Sequence, residues 1–212
     1  MIENAPARPS PRTVAILLFD DVEVLDFAGP FEVFSATGRR SGARPFDVLT
    51  VAERPGAIRA RNALAVTPHH SFTNCPQADV LVVPGGYGTR REMHNARVID
   101  WIRDRAAAAE VTLSVCTGAL LLARAGLLAG LEVTTHHGAL DLLASTAPDA
   151  VVRADQRFID NGRVITSAGI SAGIDAALHV VARLLGEAQA SETAGYMEYD
   201  WRPSVSLPAR SA

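Results

Sequence analysis

A chain of 212 residues, 48% hydrophobic and 20% charged, is the size of one ordinary domain and buries roughly 70% of its unfolded surface. A net charge of −3 gives no electrostatic reason to expect a nucleic-acid partner. The most apolar stretch, Gly118 to Leu131, is interrupted by Arg124 and three glycines and is too short to span a bilayer, so no membrane association is expected.

The N-terminal segment 1–12 has prolines at 6, 9 and 11 and no apolar signal core, and with 203–212 it reads as a loose tail around one domain over 13–202. Thr13 to Phe19 is a continuous apolar run, as expected of a strand covered on both faces. A helix is predicted over Phe27 to Thr37, with Pro30 tolerated in its first turn. Phe46–Val51 is a second strand, 54–70 an irregular or hairpin segment, and Val80–Val83 a third strand closed by Pro84-Gly85-Gly86. A helix over Val98–Ala109, a strand over Val111–Val115 and a helix through Ala119–Arg124 follow. Leu131–Thr135 reads as a short strand and Ala139–Ser145 as a helix. Asn161-Gly162 between two apolar pieces predicts a hairpin over Phe158–Ile165, and Ala172–Leu185 is an amphipathic helix. This alternation predicts an α/β three-layer sandwich, a mostly parallel sheet with helices on both faces, of flavodoxin-like type. Ligand sites in such sheets lie outside the carboxyl ends of the strands.

Cys116 falls where the strand ending Leu113-Ser114-Val115 turns into a helix. A thiol on such a turn is pushed out of the sheet and faces the positive end of a helix dipole, which predicts a lowered pKa and a nucleophile. A small buried hydrophobe is the competing reading. Asp26, between Leu25 and Phe27, is either a helix-capping carboxylate or an acid whose proton is retained by desolvation; Glu23 is a rival acid. Gly85, Gly86 and Tyr87 form a loop whose backbone can approach a ligand, and an amide from it is expected to stabilise an anion formed at Cys116. Gly86-x-Gly88 lacks the third glycine of a dinucleotide fingerprint, and no Walker lysine is present. Neither a metal nor another cofactor is expected, since the histidines show no ligand spacing and no paired-cysteine motif occurs.

Gly169-Ile170-Ser171-Ala172-Gly173 matches a serine-nucleophile turn, but the only later histidine, His179, lies on the same predicted helix and pairs with Asp175 at i,i+4. His136 ends a strand at the predicted edge and either lines a pocket or packs structurally. Cys75 is expected to be structural. The pair Cys75 and Cys116 makes no disulfide framework and suits a reducing cytoplasm.

Five ordered strings carry a family resemblance: Leu25-Asp26-Phe27-Ala28-Gly29-Pro30, Asp79 through Gly86, Ser114-Val115-Cys116-Thr117-Gly118-Ala119, Thr134-Thr135-His136, and Thr166 through Asp175. Over about residues 13–195 the chain resembles the ThiJ/PfpI superfamily, whose fold is that of class I glutamine amidotransferases. Within it, the Leu-Asp-x-x-Gly-Pro and Ser-Val-Cys-Thr-Gly strings are similar to those of isonitrile hydratases. The resemblance implies Cys116 as nucleophile, Asp26 as acid/base and Thr117 as a neighbour that hydrogen-bonds within the site. Gly85, Gly86, Tyr87, His136, His137 and Ile170 are the candidate residues around a small-molecule substrate. It also implies a homodimer, with which the apolar character of residues 24–34 is compatible. One departure stands out, because the hydratases carry a tryptophan where this chain has His137.

Similar strings occur in the sensor half of AraC-type regulators. The expected activity is addition of water to an isocyanide. Two alternatives are a glyoxalase- or deglycase-type cysteine enzyme and a non-catalytic sensor with an oxidisable Cys116. Proteases of the superfamily place a histidine directly after the cysteine, where Thr117 stands, and the amidotransferase His-x-Glu is missing from this sequence.

Overall fold

Residues 10–202 are described by the computed structural model, so the expected tails over 1–9 and 203–212 lie outside the described residues. The chain begins with β1 (Arg12–Leu18), α1 (Val24–Ala36) and β2 (Phe46–Ala52). A small hairpin, β3 (Ile58–Arg59) and β4 (Ala65–Val66), leads to β5 (His70–Ser71) and β6 (Val80–Val83). The one-turn α2 (Thr89–Glu92) and α3 (Ala96–Ala108) precede β7 (Val111–Ser114) and α4 (Gly118–Arg124). Then come β8 (Glu132–Val133), α5 (Leu140–Thr146), β9 (Val151–Val152), β10 (Phe158–Asp160), β11 (Val164–Ser167), α6 (Ala172–Leu185) and α7 (Glu187–Tyr196).

Seven strands form the central sheet in the order β10-β11-β7-β6-β1-β2-β5. All its pairs are parallel except β10 with β11, the hairpin that Asn161-Gly162 predicts. Val14 to Leu18, Val80 to Val83 and Val111 to Ser114 are buried along their whole lengths. That explains why these strands read as unbroken apolar runs rather than alternating ones. Helices α1, α6 and α7 pack together as one group, while α4 packs against α2, α3 and α5 as another. Leu120, Leu121 and Leu122 of α4 are fully buried, each contributing about 1.5–3 kcal/mol of transfer free energy. A helix apolar on every side belongs in the interior.

Several expectations shift. Helix α1 starts at Val24, so Asp26 lies inside its first turn and Pro30 in its middle, not at its start. The N-cap position belongs to Glu23, whose side chain makes no capping bond. The Leu131–Thr135 strand shortens to β8, which pairs with β9 outside the central sheet. Helix α7 is one the sequence does not announce; its weak apolar periodicity leaves no stripe to read, and tertiary contact with α6 and α1 supplies its burial. Of residues 24–34, Phe27, Val33 and Phe34 are buried, and Leu25 is the large apolar side chain left exposed.

Candidate active site

Strands β11, β7, β6 and β1 are consecutive neighbours and parallel, so their carboxyl ends present four turns side by side. Cys116 sits on the turn from β7 to α4 with φ 56°, a left-handed conformation that costs a non-glycine residue about 1–3 kcal/mol. Neighbouring turns hold it there. Its amide donates to the Ala168 carbonyl (3.1 Å), and its carbonyl accepts from Thr135 Oγ1 (2.7 Å). Ile170, on the turn from β11 to α6, is also left-handed, at φ 50°. The amides of Ile170 and Thr117 both lie against the Cys116 sulfur and favour its anionic form.

Asp26 reaches the same point from α1. Its carboxyl is 0% exposed; Oδ2 accepts from the Gly85 amide at 3.0 Å, and the Cys116 thiol lies beside it. Oδ1 is buried without a hydrogen bond of good geometry. Gly85 can occupy this position only because it lacks a side chain. A Cβ there would stand 2.4 Å from the Thr117 nitrogen and 2.9 Å from Asp26 Oδ2.

Burial pushes the Asp26 carboxyl up from 3.8 to about 7, against the Gly85 amide and the thiol, which favour the carboxylate; Glu23 adds a smaller upward push. Burial, then the charge of Asp26, pushes the Cys116 thiol up to about 12 despite the Thr117 and Ile170 amides. This corrects the expectation of a lowered thiol pKa. The helix dipole acts only at the local turn, whereas desolvation and a facing carboxyl dominate. Asp26 is therefore an acid that titrates near neutrality, beside a thiol that holds its proton.

Thr117 is buried, and its hydroxyl serves the loop rather than the sulfur. Oγ1 accepts from the Gly86 amide (2.9 Å) and the Thr89 hydroxyl (3.2 Å) and lies 3.1 Å from the Gly86 carbonyl. The expectation of an anion-stabilising amide from the glycine loop is thereby corrected for Gly85 and Gly86. The Gly85 amide is taken by Asp26 and the Gly86 amide by Thr117, leaving the Thr117 and Ile170 amides at the sulfur.

Tyr87 is 69% exposed, with the guanidiniums of Arg61 and Arg90 within 5.8 and 5.9 Å of its ring centre. His136 accepts from the Gly138 amide through Nδ1 (3.1 Å) and presses on Gly169, where a Cβ would come within 2.5 Å of its ring. The exposed His137 packs against it, with ring centres 4.1 Å apart and planes inclined by 30°. Ile170 is exposed. His179 bonds Asp160 (2.7 Å), not Asp175 as the helical spacing suggested. Asp175 is held by Arg157 and Tyr199, so Ser171 has no histidine–carboxylate pair behind it. Cys75 is buried, its thiol turned to the Pro76 carbonyl (3.4 Å).

Sequence reasoning assigned no role to Thr135, Arg157 or Tyr199. Thr135 stands in the Thr134-Thr135-His136 string, which is a usable signal. Arg157 and Tyr199 carried none, because their significance comes from contacts far along the chain.

Comparisons with known proteins identify the family. Residues 12–183 match the model of the DJ-1/PfpI family. The chain is 34% identical over 186 residues to an isonitrile hydratase of Pseudomonas putida, covering 88% of this chain and 78% of that protein. It is 28% identical over 178 residues to the transcriptional regulator GbdR of Pseudomonas aeruginosa, covering 84% of this chain but 48% of the regulator. The crystal structure of a ThiJ/PfpI family protein from Pseudomonas syringae superposes with a TM-score of 0.82 at 30% identity, covering 97% of this chain and 81% of that one. Among the described residues, no helix is long and apolar enough to cross a membrane.

Proposed function

The chain belongs to the DJ-1/PfpI family, and from that premise we propose that it adds water to an isonitrile, giving an N-substituted formamide through a covalent adduct on Cys116. The observation that carries this reading is the buried pairing of Cys116 with Asp26, an acid titrating near neutrality. The 34% identity to an isonitrile hydratase supports it.

The chemistry follows from the protonation states. The terminal carbon of R–N≡C accepts a proton from the Asp26 carboxyl. Cys116 Sγ adds to that carbon and passes its own proton to the emptied carboxylate. The product is a thioimidate, R–N=CH–S–Cys116, with Asp26 again protonated. Water then adds to the C=N carbon while Asp26 protonates nitrogen and takes a proton from the water. The resulting R–NH–CH(OH)–S–Cys116 collapses, its hydroxyl proton moving through Asp26 to sulfur. R–NH–CHO leaves and the thiol is restored.

No amine is expelled, so the histidine that thiol proteases use for that step is not required. The Thr117 and Ile170 amides stabilise negative charge on sulfur as it departs. A homodimer belongs to the same proposal; exposed Leu25, beside Asp26 in the chain, offers an apolar contact for a second copy.

The test is turnover of a simple alkyl isocyanide, with N-alkylformamide followed by mass spectrometry. Wild-type protein should form it, and Cys116→Ala should lose turnover by at least about a thousandfold. Quenched wild-type samples should carry the mass of one isocyanide on the Cys116 peptide. Unchanged turnover in Cys116→Ala, or no formamide from the folded wild type, overturns the proposal.

A further inference from the structure

The proposed chemistry uses the Ile170 amide but leaves open what holds Ile170 in its conformation. Ile170 is a β-branched residue at φ 50°, a conformation such side chains avoid, and there its amide meets the Cys116 sulfur. A backbone held against its preference requires surroundings that over-determine it.

Those surroundings converge on Arg157. Upstream of the turn, the Arg157 carbonyl accepts from the Ala168 amide (2.9 Å), and the Ala168 carbonyl accepts from the Cys116 amide (3.1 Å). Downstream, the Arg157 guanidinium donates to Ser171 Oγ (3.3 Å). One residue thus brackets the turn on both sides. The guanidinium is fixed in turn by Asp175, a 6%-exposed carboxylate in the first turn of α6. Asp175 also accepts from the Tyr199 hydroxyl, at 3.0 and 3.1 Å to its two oxygens. Tyr199 lies beyond α7 and is tied back by its amide to the Ala194 carbonyl (2.9 Å).

We propose that Asp175, Arg157 and Tyr199 are positioning residues that hold Ile170 in its left-handed conformation and thereby keep its amide on the Cys116 sulfur. None of the three touches the sulfur. They act through Ile170, and the segment after α7 becomes part of the catalytic framework. This rests on Cys116 being the reacting group, as in the proposed function, but not on which substrate it attacks.

The experiment reads thiol reactivity directly: alkylation of Cys116 in the full-length chain by iodoacetamide, at one fixed pH near 9, followed by peptide mass spectrometry. No isonitrile is needed, so a protein inert toward isocyanides still tests the proposal. In Asp175→Asn the rate at Cys116 should fall about five- to tenfold, and in Tyr199→Phe about two- to threefold, as an amide leaves the thiolate.

Glycine adopts φ near +50° without strain. Adding Ile170→Gly to Asp175→Asn should therefore recover most of the lost rate, whereas a general loosening of the fold would not be repaired this way. If Asp175→Asn fails to fold, Tyr199→Phe with and without Ile170→Gly makes the same comparison. A wild-type or faster rate in the folded single variants overturns the proposal, as does the absence of recovery by Ile170→Gly.

Discussion

The carboxyl of Asp26 and the thiol of Cys116 are buried against each other, with Asp26 Oδ2 taken by the Gly85 amide and Oδ1 left without a well-aligned partner. An acid so placed destabilises the fold and keeps its proton into the neutral range, and both consequences are measurable.

Asp26→Asn should abolish most activity and still stabilise the protein above neutral pH. A carboxyl raised from 3.8 to about 7 costs the native state about 4 kcal/mol once the unfolded chain has ionised. Burying the unpaired amide NH2 returns about 2 kcal/mol of that cost, leaving a net gain of about 2 kcal/mol. Urea unfolding at pH 8 should show a higher midpoint for the variant with an unchanged slope. A lower midpoint would mean the carboxylate is paired and stabilising.

The pH dependence of wild-type stability has a definite sign. Between about pH 4 and 7 the unfolded chain has released the Asp26 proton while the native chain retains it, so this group makes stability fall as pH rises. Above about 7 its contribution is flat. The difference in unfolding free energy between wild type and Asp26→Asn, measured from pH 4 to 9, should grow through that window and then level off.

Activity should follow the same proton. If Asp26 donates as the neutral acid, kcat/KM falls about tenfold per pH unit above its pKa of about 7. A profile that rises through pH 8 would assign the thiolate, not the carboxylic acid, as the form that begins the reaction.

Thr117→Val separates support from chemistry. It deletes the acceptor of the Gly86 amide and leaves that N–H buried, at a cost of about 1–3 kcal/mol. Because the sulfur meets the Thr117 backbone amide rather than its hydroxyl, the pH profile of Cys116 alkylation should stay in place while the urea midpoint drops.

Gly85→Ala should be more severe. Its methyl group would be driven into the Thr117 nitrogen and the Asp26 carboxyl, so the loop must move and the Gly85–Asp26 bond must break. We expect loss of turnover together with about 2 kcal/mol or more of stability, read by the same assay and by urea unfolding.

Much of the architecture was readable in the chain itself. Buried parallel strands announce themselves as unbroken apolar runs, and Val80–Val83 followed by Pro84-Gly85-Gly86 placed a loop at the right edge. Cys116 stood out because a strand flowed into a helix with nothing between. The errors share one origin: reasoning from neighbours in sequence assigned partners that neighbours in space replaced. His179 was given Asp175 four residues away but bonds Asp160. The Gly85 and Gly86 amides read as free for a reaction intermediate, but Asp26 and Thr117 already hold them.

Local pattern alone determined the alternation of strands and helices and the residue types gathered at the carboxyl edge of the sheet, because periodicity and turn chemistry act over a few residues. The tertiary structure decided the protonation of those residues and the availability of their amides. Burial at Cys116, the Asp26 carboxyl from α1 and the amides of Thr117 and Ile170 from two different turns act together, and no stretch of sequence contains that sum.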